Sequence, residues 1–366
     1  MSYPSPRWAR CIMHRDGDAP QFLSEWFSSK SKKIFLIGGA GFDPRSTAVA
    51  RLLMRLTKCP ITGVLLREHR PLAPAHLLAG AEQNIAELHQ LVPNLQIRDV
   101  VIFAENDLAP IGGRQAANIA KSVDWEKATD IVVDCSALSR GVIFPLVRSI
   151  LEITNAPANL HLLVIDNASL DDGIVAEPAE RASTMHGFRG KLGLESSQQA
   201  AVLWLPQLVP GHEDALSKIH AFLEPKPHDI CPILPFPSRD LRTPELLITE
   251  YSVELESTWG VDPRNVVFAS ESNPLDLYRS ILRIDDERGE VFKETGGSLV
   301  VLSPIGSKLL SLGSLMAAIE RDFPVVYVEA LNYKFTPTVA NHDSAGTRLV
   351  HLWLAGEAYG AANTET

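Results

Sequence analysis

The sequence predicts an α/β fold built from tandem Rossmann-like halves with mainly parallel, doubly wound sheets. Three observations predict it. Short apolar runs (Ile34–Ile37, Ile131–Asp134, Leu299–Leu302) each lead into a tight loop and then a helix-length apolar segment. Strand–helix units of this kind recur through the first 205 residues, the alternation expected of a parallel sheet with right-handed crossovers. The segments 131–151 and 298–320 also share a plan: Val132-Val133 falls on Val300-Val301, and Ser139-Arg140 falls on Ser307-Lys308.

In chain order, residues 1–30 read as an arm and a short amphipathic helix. Its stripe of Phe22, Leu23, Trp26 and Phe27 suits docking, with a partner protein or a second copy of the chain as one use. Residues 31–205 form the first Rossmann-like domain. It opens on IFLIGGAGFDPR, where Gly38, Gly39 and Gly41 permit a tight path and Asp43-Pro44 fits an N-cap followed by the first helical residue. Further strands are expected at Ile61–Leu66, Ile97–Phe103, Ile131–Asp134, His161–Asp166 and Ala201–Pro206, with a polar loop over 173–200. Eight of the 25 prolines lie between Pro206 and Pro244, which marks 206–244 as a linker or irregular crossover. Residues 245–366 then form a second, smaller Rossmann-like domain. It starts with a helix over Glu245–Thr258, repeats the cap as Asn273-Pro274, and takes Arg348–Leu354 as its last strand. The tail from Ala355 reads as frayed.

Composition narrows the function classes. A chain of 366 residues with 45% hydrophobic and 21% charged residues is that of a globular protein. A net charge of −10 argues against nucleic acid as a main partner. No apolar run reaches membrane-spanning length. The N-terminal residues carry no signal-peptide core, and the four cysteines are isolated, so a reducing cytoplasm is expected. The eleven histidines are scattered, which gives no dedicated metal site. Mg²⁺ remains the one metal considered, through Asp134, Asp166, Asp171 and Asp172 at strand ends.

The candidate ligand residues are Gly38, Gly39 and Gly41 in the first glycine turn, Ser136, Ser139 and Arg140 after one strand, and Ser303, Ser307 and Lys308 after its counterpart. A helix N-terminus attracts anions, whereas a cation in a first helical turn opposes the macrodipole. Finding that opposition twice, at matched places, points to an anion held between them. The two loops, Asp134–Arg140 and Ser303–Lys308, resemble those of CRISPR-associated Rossmann-fold sensors without that family's glycine pair, and no residue is carried over from it.

The expected function is therefore a nucleotide- or phosphoanion-binding sensor with paired strand–loop–helix sites. An enzyme acting on a nucleotide or phosphorylated sugar, by hydrolysis or glycosyl transfer, is the first alternative. Asp134, Asp166 and Glu271 would be its acid, base or metal-binding carboxylates. A structural subunit of a larger assembly is the second, where Gly313 would let the helix after Ser307 approach a neighbour closely.

Overall fold

The computed structural model describes residues 5–153, 159–194, 199–336 and 347–359, so the end of the tail expected to fray lies outside the described residues. The chain forms two compact units. Unit 1 comprises Met1–Ala9 and Pro178–Glu329; unit 2 comprises Arg10–Glu177 and Ala330–Thr366.

Strands and helices alternate along the chain. They run β1 (Ile12–Arg15), α1 (Asp18–Trp26), β2 (Ile34–Gly39), α2 (Ala48–Leu56), β3 (Ile61–His69), α3 (Ala75–Leu91) and β4 (Leu95–Val101). Next come α4 (Gly112–Ser122), β5 (Asp130–Asp134), α5 (Arg140–Glu152), β6 (Asn159–Asp166), α6 (Ala168–Gly173) and β7 (Ile174–Thr184). Then follow β8 (Ala201–Pro206), α7 (Glu213–Phe222), β9 (Asp229–Ile230), β10 (Ile233–Pro235), α8 (Thr243–Glu250) and β11 (Val267–Ala269). The last are α9 (Pro274–Val291), β12 (Ser298–Ser303), α10 (Lys308–Arg321), β13 (Val326–Phe335) and β14 (Arg348–Ala355).

Unit 2 is built on a seven-stranded sheet in the order β1-β14-β6-β5-β2-β3-β4. The five strands from β6 to β4 are parallel, while β14 runs antiparallel to both β6 and β1. The inner parallel strands are covered on both faces, with every residue of β2, β5 and β6 buried, whereas the edge strand β4 is largely exposed. One core cluster gathers Leu23 and Phe27 with Leu36, Val49, Leu53, Ile85 and Leu88. The N-terminal stripe is thus a docking face for its own unit, with Leu23 and Phe27 0% and 1% exposed.

Unit 1 contains a three-stranded parallel sheet, β12-β8-β9, and a parallel pair, β10-β11. Ala201–Pro206, expected to extend the first sheet, instead pairs along its whole length with Ser298–Ser303. The proline-rich stretch 206–244 lies inside this unit and contributes α7, β9 and β10 to it. Arg348–Leu354, expected at the end of the second half, is β14 of the large sheet in unit 2. The supposed loop 173–200 begins with the eleven-residue strand β7. The helix expected over Glu245–Thr258 stops earlier: α8 ends at Glu250 and a short π-helical turn covers Glu254–Thr258.

Gly313 behaves as its position suggests. A Cβ there would lie 2.5 Å from the Pro274 carbonyl oxygen, so only glycine lets α10 approach α9 this closely.

Candidate functional site at the carboxyl edge of unit 2

The parallel part of the sheet runs β4-β3-β2-β5-β6, the strand order 3-2-1-4-5 of Rossmann-type folds. From β2 the next crossover goes one way, to β3; from β5 it goes the other way, to β6. Ligands in such sheets bind beyond the carboxyl ends of the two strands at this reversal. Here those ends carry Gly38–Gly41 on one side and Asp134–Ser139 on the other.

The two loops pack against one another. A Cβ on Gly38 would sit 3.1 Å from the Asp134 Cβ, and one on Gly39 would sit 3.2 Å from the Ala137 carbonyl. Those glycines close the loops together. Gly41 differs: a Cβ there would meet nothing within 4 Å, so the turn faces open space. Its carbonyl accepts from Asn84 Nδ2 (2.8 Å) and Ser46 Oγ (3.2 Å), which pins the turn.

After the turn, Asp43 caps the next segment as its sequence implies, accepting from the Arg45 amide at 2.9 Å. The Arg45 side chain doubles back on Asp43 with Nη2···Oδ2 at 2.7 Å and reaches Asp171 with Nη1···Oδ1 at 2.8 Å. Burial works against this guanidinium's charge, but Asp43 and then Asp171 outweigh it and hold its pKa above the ordinary arginine value.

On the β5 side, Asp134 is buried and accepts from the Ser136 amide at 2.9 Å. The Ser136 hydroxyl accepts from the Ile165 amide of β6 at 2.8 Å, a structural bond. Ser139 is the N-cap of α5, yet its side chain makes no capping bond. Its Oγ is buried without a hydrogen-bond partner, and its amide donates to Glu68 Oε1 at 2.7 Å. Glu68 Oε2 accepts from Arg70 Nη2 at 2.8 Å, and the side chains of the two residues are 13% and 5% exposed. Arg70 in turn donates to the Ala330 carbonyl and lies over the Tyr333 ring.

Glu68 is the residue that sequence reasoning missed. The strand was expected to stop at Leu66, before the charged REH; it continues to His69 and lifts a carboxylate to the N-terminus of α5. The signal that could have found it is an acidic residue in the second β-strand after a glycine turn, where dinucleotide folds place the group that binds ribose.

The remaining candidates are dispersed. Asp166 accepts from Arg348 (2.8 Å) and Asp171 from Arg45, so the strand-end aspartates of unit 2 have separate partners rather than a common centre. Among the described residues no group of three or more His, Cys, Asp or Glu is placed to hold a metal ion. In unit 1, Ser303 is engaged within the protein: its Oγ accepts from Trp204 Nε1 and donates to the Val326 carbonyl, both at 2.9 Å. Ser307 caps α10 by accepting from the Leu310 amide at 3.3 Å. Glu271 accepts from the Arg239 amide at 2.8 Å. Arg140 opens α5 in unit 2, and Lys308 opens α10 in unit 1.

No family model matches this sequence, and no curated protein matches it. Solved structures similar to it include the CMeT domain of the citrinin polyketide synthase, with 16% identity over 41% of this chain and 34% of that one and a TM-score of 0.24. A second is the METTL16 MTase domain, with 11% identity over 42% and 54% of the two chains and a TM-score of 0.25. A third is a SAM-dependent methyltransferase from Geobacter sulfurreducens in complex with S-adenosyl-L-homocysteine, with 12% identity over 92% and 90% and a TM-score of 0.23. The chain spans about a third of the first of these and about half of the second. Methyltransferases recur among these structures; the nucleotide sensor expected from the sequence is corrected on the geometry of this chain's own loops. The geometry gives the physical reason. The segment after β2 and helix α5 were both expected to attract a phosphate; each already holds a carboxylate at its first amides, Asp43 in one case and Glu68 in the other.

Proposed function

We propose that the protein is an enzyme whose unit 2 holds the nucleoside part of a small cofactor at the switch point between β2 and β5. The observation that carries this reading is the buried Ser139 hydroxyl without a partner, beside the Glu68 carboxylate. A buried hydroxyl left unpaired is unfavourable unless something completes it. Each Glu68 oxygen accepts one donor from the protein and has capacity for a second. An acceptor-rich pair of this kind suits the hydroxyls of ribose and disfavours phosphate.

Glu68 would accept from the sugar, Ser139 would bond the same ring, and the open side of Gly41 would leave room for it. Arg70 holds Glu68 oriented from behind. A cofactor of the S-adenosyl type would supply a methyl group to a nucleophile on the second substrate. Four cysteines without disulfides agree with a cytoplasmic enzyme. The same reading takes the units as duplicated, doubly wound halves. Its support is that α2 packs with α1 and α3 while α4 packs with α5, and that Ser139 and Ser307 both stand as N-caps after parallel strands.

Calorimetric titration of the full chain with S-adenosyl-L-homocysteine, adenosine and ATP tests it. The first two should bind, ATP should bind no better than adenosine, and Glu68→Gln should weaken binding about 10- to 100-fold, the worth of a hydrogen bond to a charged group. Gln keeps the bond to the Ser139 amide but loses the charge facing Arg70, so the comparison is made on a variant shown to be folded by circular dichroism. Absence of binding by every adenosine-bearing compound, or equal binding by the variant, overturns the proposal.

A further inference from the structure

At the opposite edge of the sheet, where the parallel strands begin, unit 2 contains a chain of imidazoles that the proposed site does not use. His14 on β1 lies directly across from His351 on β14. Trp353, two residues along β14, faces His161 on β6, and His161 faces Val132 on β5, two residues from Asp130. Steps of two keep all four side chains on one face of the sheet. They are hydrogen-bonded in sequence: His14 Nδ1···His351 Nδ1 at 2.9 Å, His351 Nε2···His161 Nδ1 at 2.9 Å, and His161 Nε2···Asp130 Oδ1 at 3.2 Å. His161 and His351 are fully buried. Phe22 of α1 stacks on His14 (4.2 Å between centroids) and on His351 (4.8 Å), so the chain also clamps that helix.

The proton inventory of this chain is closed. Asp130 as a carboxylate only accepts; it already takes Trp26 Nε1 (2.9 Å) and Thr129 Oγ1 (2.6 Å). His161 must therefore carry its proton on Nε2 and accept on Nδ1. His351 must then donate from Nε2 and accept on Nδ1, and His14 must donate from Nδ1. Three neutral rings supply three protons for three bonds. One added proton finds a place on the outer nitrogen of His14, or passes inward bond by bond to neutralise Asp130. A second has no acceptor that is not already bonded, and a protonated His161 or His351 would direct an N–H at another N–H.

The geometry points to an acid-sensitive latch: we propose that this His14–His351–His161–Asp130 chain holds β1 and α1 on β14 when neutral and releases them on acidification. Charged groups around it come from each neighbouring element. Asp18 on α1 favours protonation of His14, and Lys32, 3.8 Å from Asp130, opposes protonation of His161. Glu357 beyond β14 and Asp130 on β5 favour it. Burial dominates at all three rings and moves each below the ordinary histidine value; at His351 both neighbouring imidazoles add to it. The sign follows. Below about pH 6.5 the released chain binds protons that the latched one refuses, so latching weakens as pH falls.

Hydrogen exchange of the full chain from about pH 7.5 to about pH 5, corrected for intrinsic rates, reads the latch directly. Opening constants of β1 and α1 should be flat above about pH 6.5. Below it they should rise about tenfold per pH unit for each buried histidine held neutral, about a hundredfold for the two. A flat profile across that range overturns the proposal. His351→Phe removes the middle link and should at least halve the logarithmic slope; an unchanged slope overturns it. Should that variant not fold, long-range nitrogen NMR of the natural chain decides. Protons on Nε2 of His161 and His351 and on Nδ1 of His14 support the latch, and the reverse tautomer at either buried ring overturns it.

Discussion

Replacing Arg45 by methionine tests whether the loop after β2 is held by its own charges. The guanidinium is 5% exposed and makes ion pairs of 2.7 Å with Asp43 and 2.8 Å with Asp171. At an effective dielectric of about 20, a pair of unit charges near 4 Å interacts by about 4 kcal/mol. Asp43 is almost as buried as its partner, whereas Asp171 has a side chain 45% exposed and can be rehydrated, so its share is discounted. Breaking a buried pair from one side leaves a charge unpaired and costs about 3–5 kcal/mol. Arg45→Met should therefore lower the opening free energy of β2 and α2 by that amount at neutral pH. Asp43→Asn combined with Arg45→Met removes both charges and should recover at least half of the loss. Native-state hydrogen exchange of peptides from β2 and α2 measures this without requiring the two units to unfold together. A loss below about 1 kcal/mol, or a double variant no better than the single one, would refute the argument.

Two further substitutions probe unit 1. Gly313→Ala sets two known effects against each other: helix propensity gains about 1 kcal/mol, while a methyl 2.5 Å from the Pro274 carbonyl overpacks the α9–α10 contact by about 1–3 kcal/mol. A net loss in denaturant unfolding is expected, and a more stable variant would show that the helices separate easily. Ser303→Ala strands the buried Trp204 indole N–H and should cost about 1–3 kcal/mol, partly restored by adding Trp204→Phe. A neutral Ser303→Ala would return that hydroxyl to the list of ligand candidates.

What the sequence made legible was local. The apolar runs at Ile34 and Ile131 became buried parallel strands because nothing but a covered sheet accommodates them. Asp43 and Asn273 became caps through their own side chains, as short-range chemistry allows. Pairing over long separations was not legible. Nothing in RLVHLWL says that it will lie between β1 and β6, nor does AVLWLP announce β12 as its neighbour. The same limit hid the imidazole chain, whose members are 190 and 337 residues apart. At the candidate site the motifs singled out the glycine turn, Asp134 and Ser139, which lie together at the ends of β2 and β5. Glu68 was not singled out, because a charged residue was taken as the end of a strand that in fact runs on past it.

The division of the chain bears on how the protein is made. Unit 1 interrupts unit 2 between Glu177 and Ala330, and β14 is the strand that joins β1 to β6. As the chain is synthesised, residues 10–177 emerge long before the strand that completes their sheet. Until then β6 exposes an unpaired, largely apolar edge, the kind of surface that invites pairing with the wrong partner. The intervening segment can meanwhile assemble its own parallel sheet from strands that are all present. Completion of the large sheet is thus the last event, and a chain cut before Arg348 would be left with an open edge at its centre.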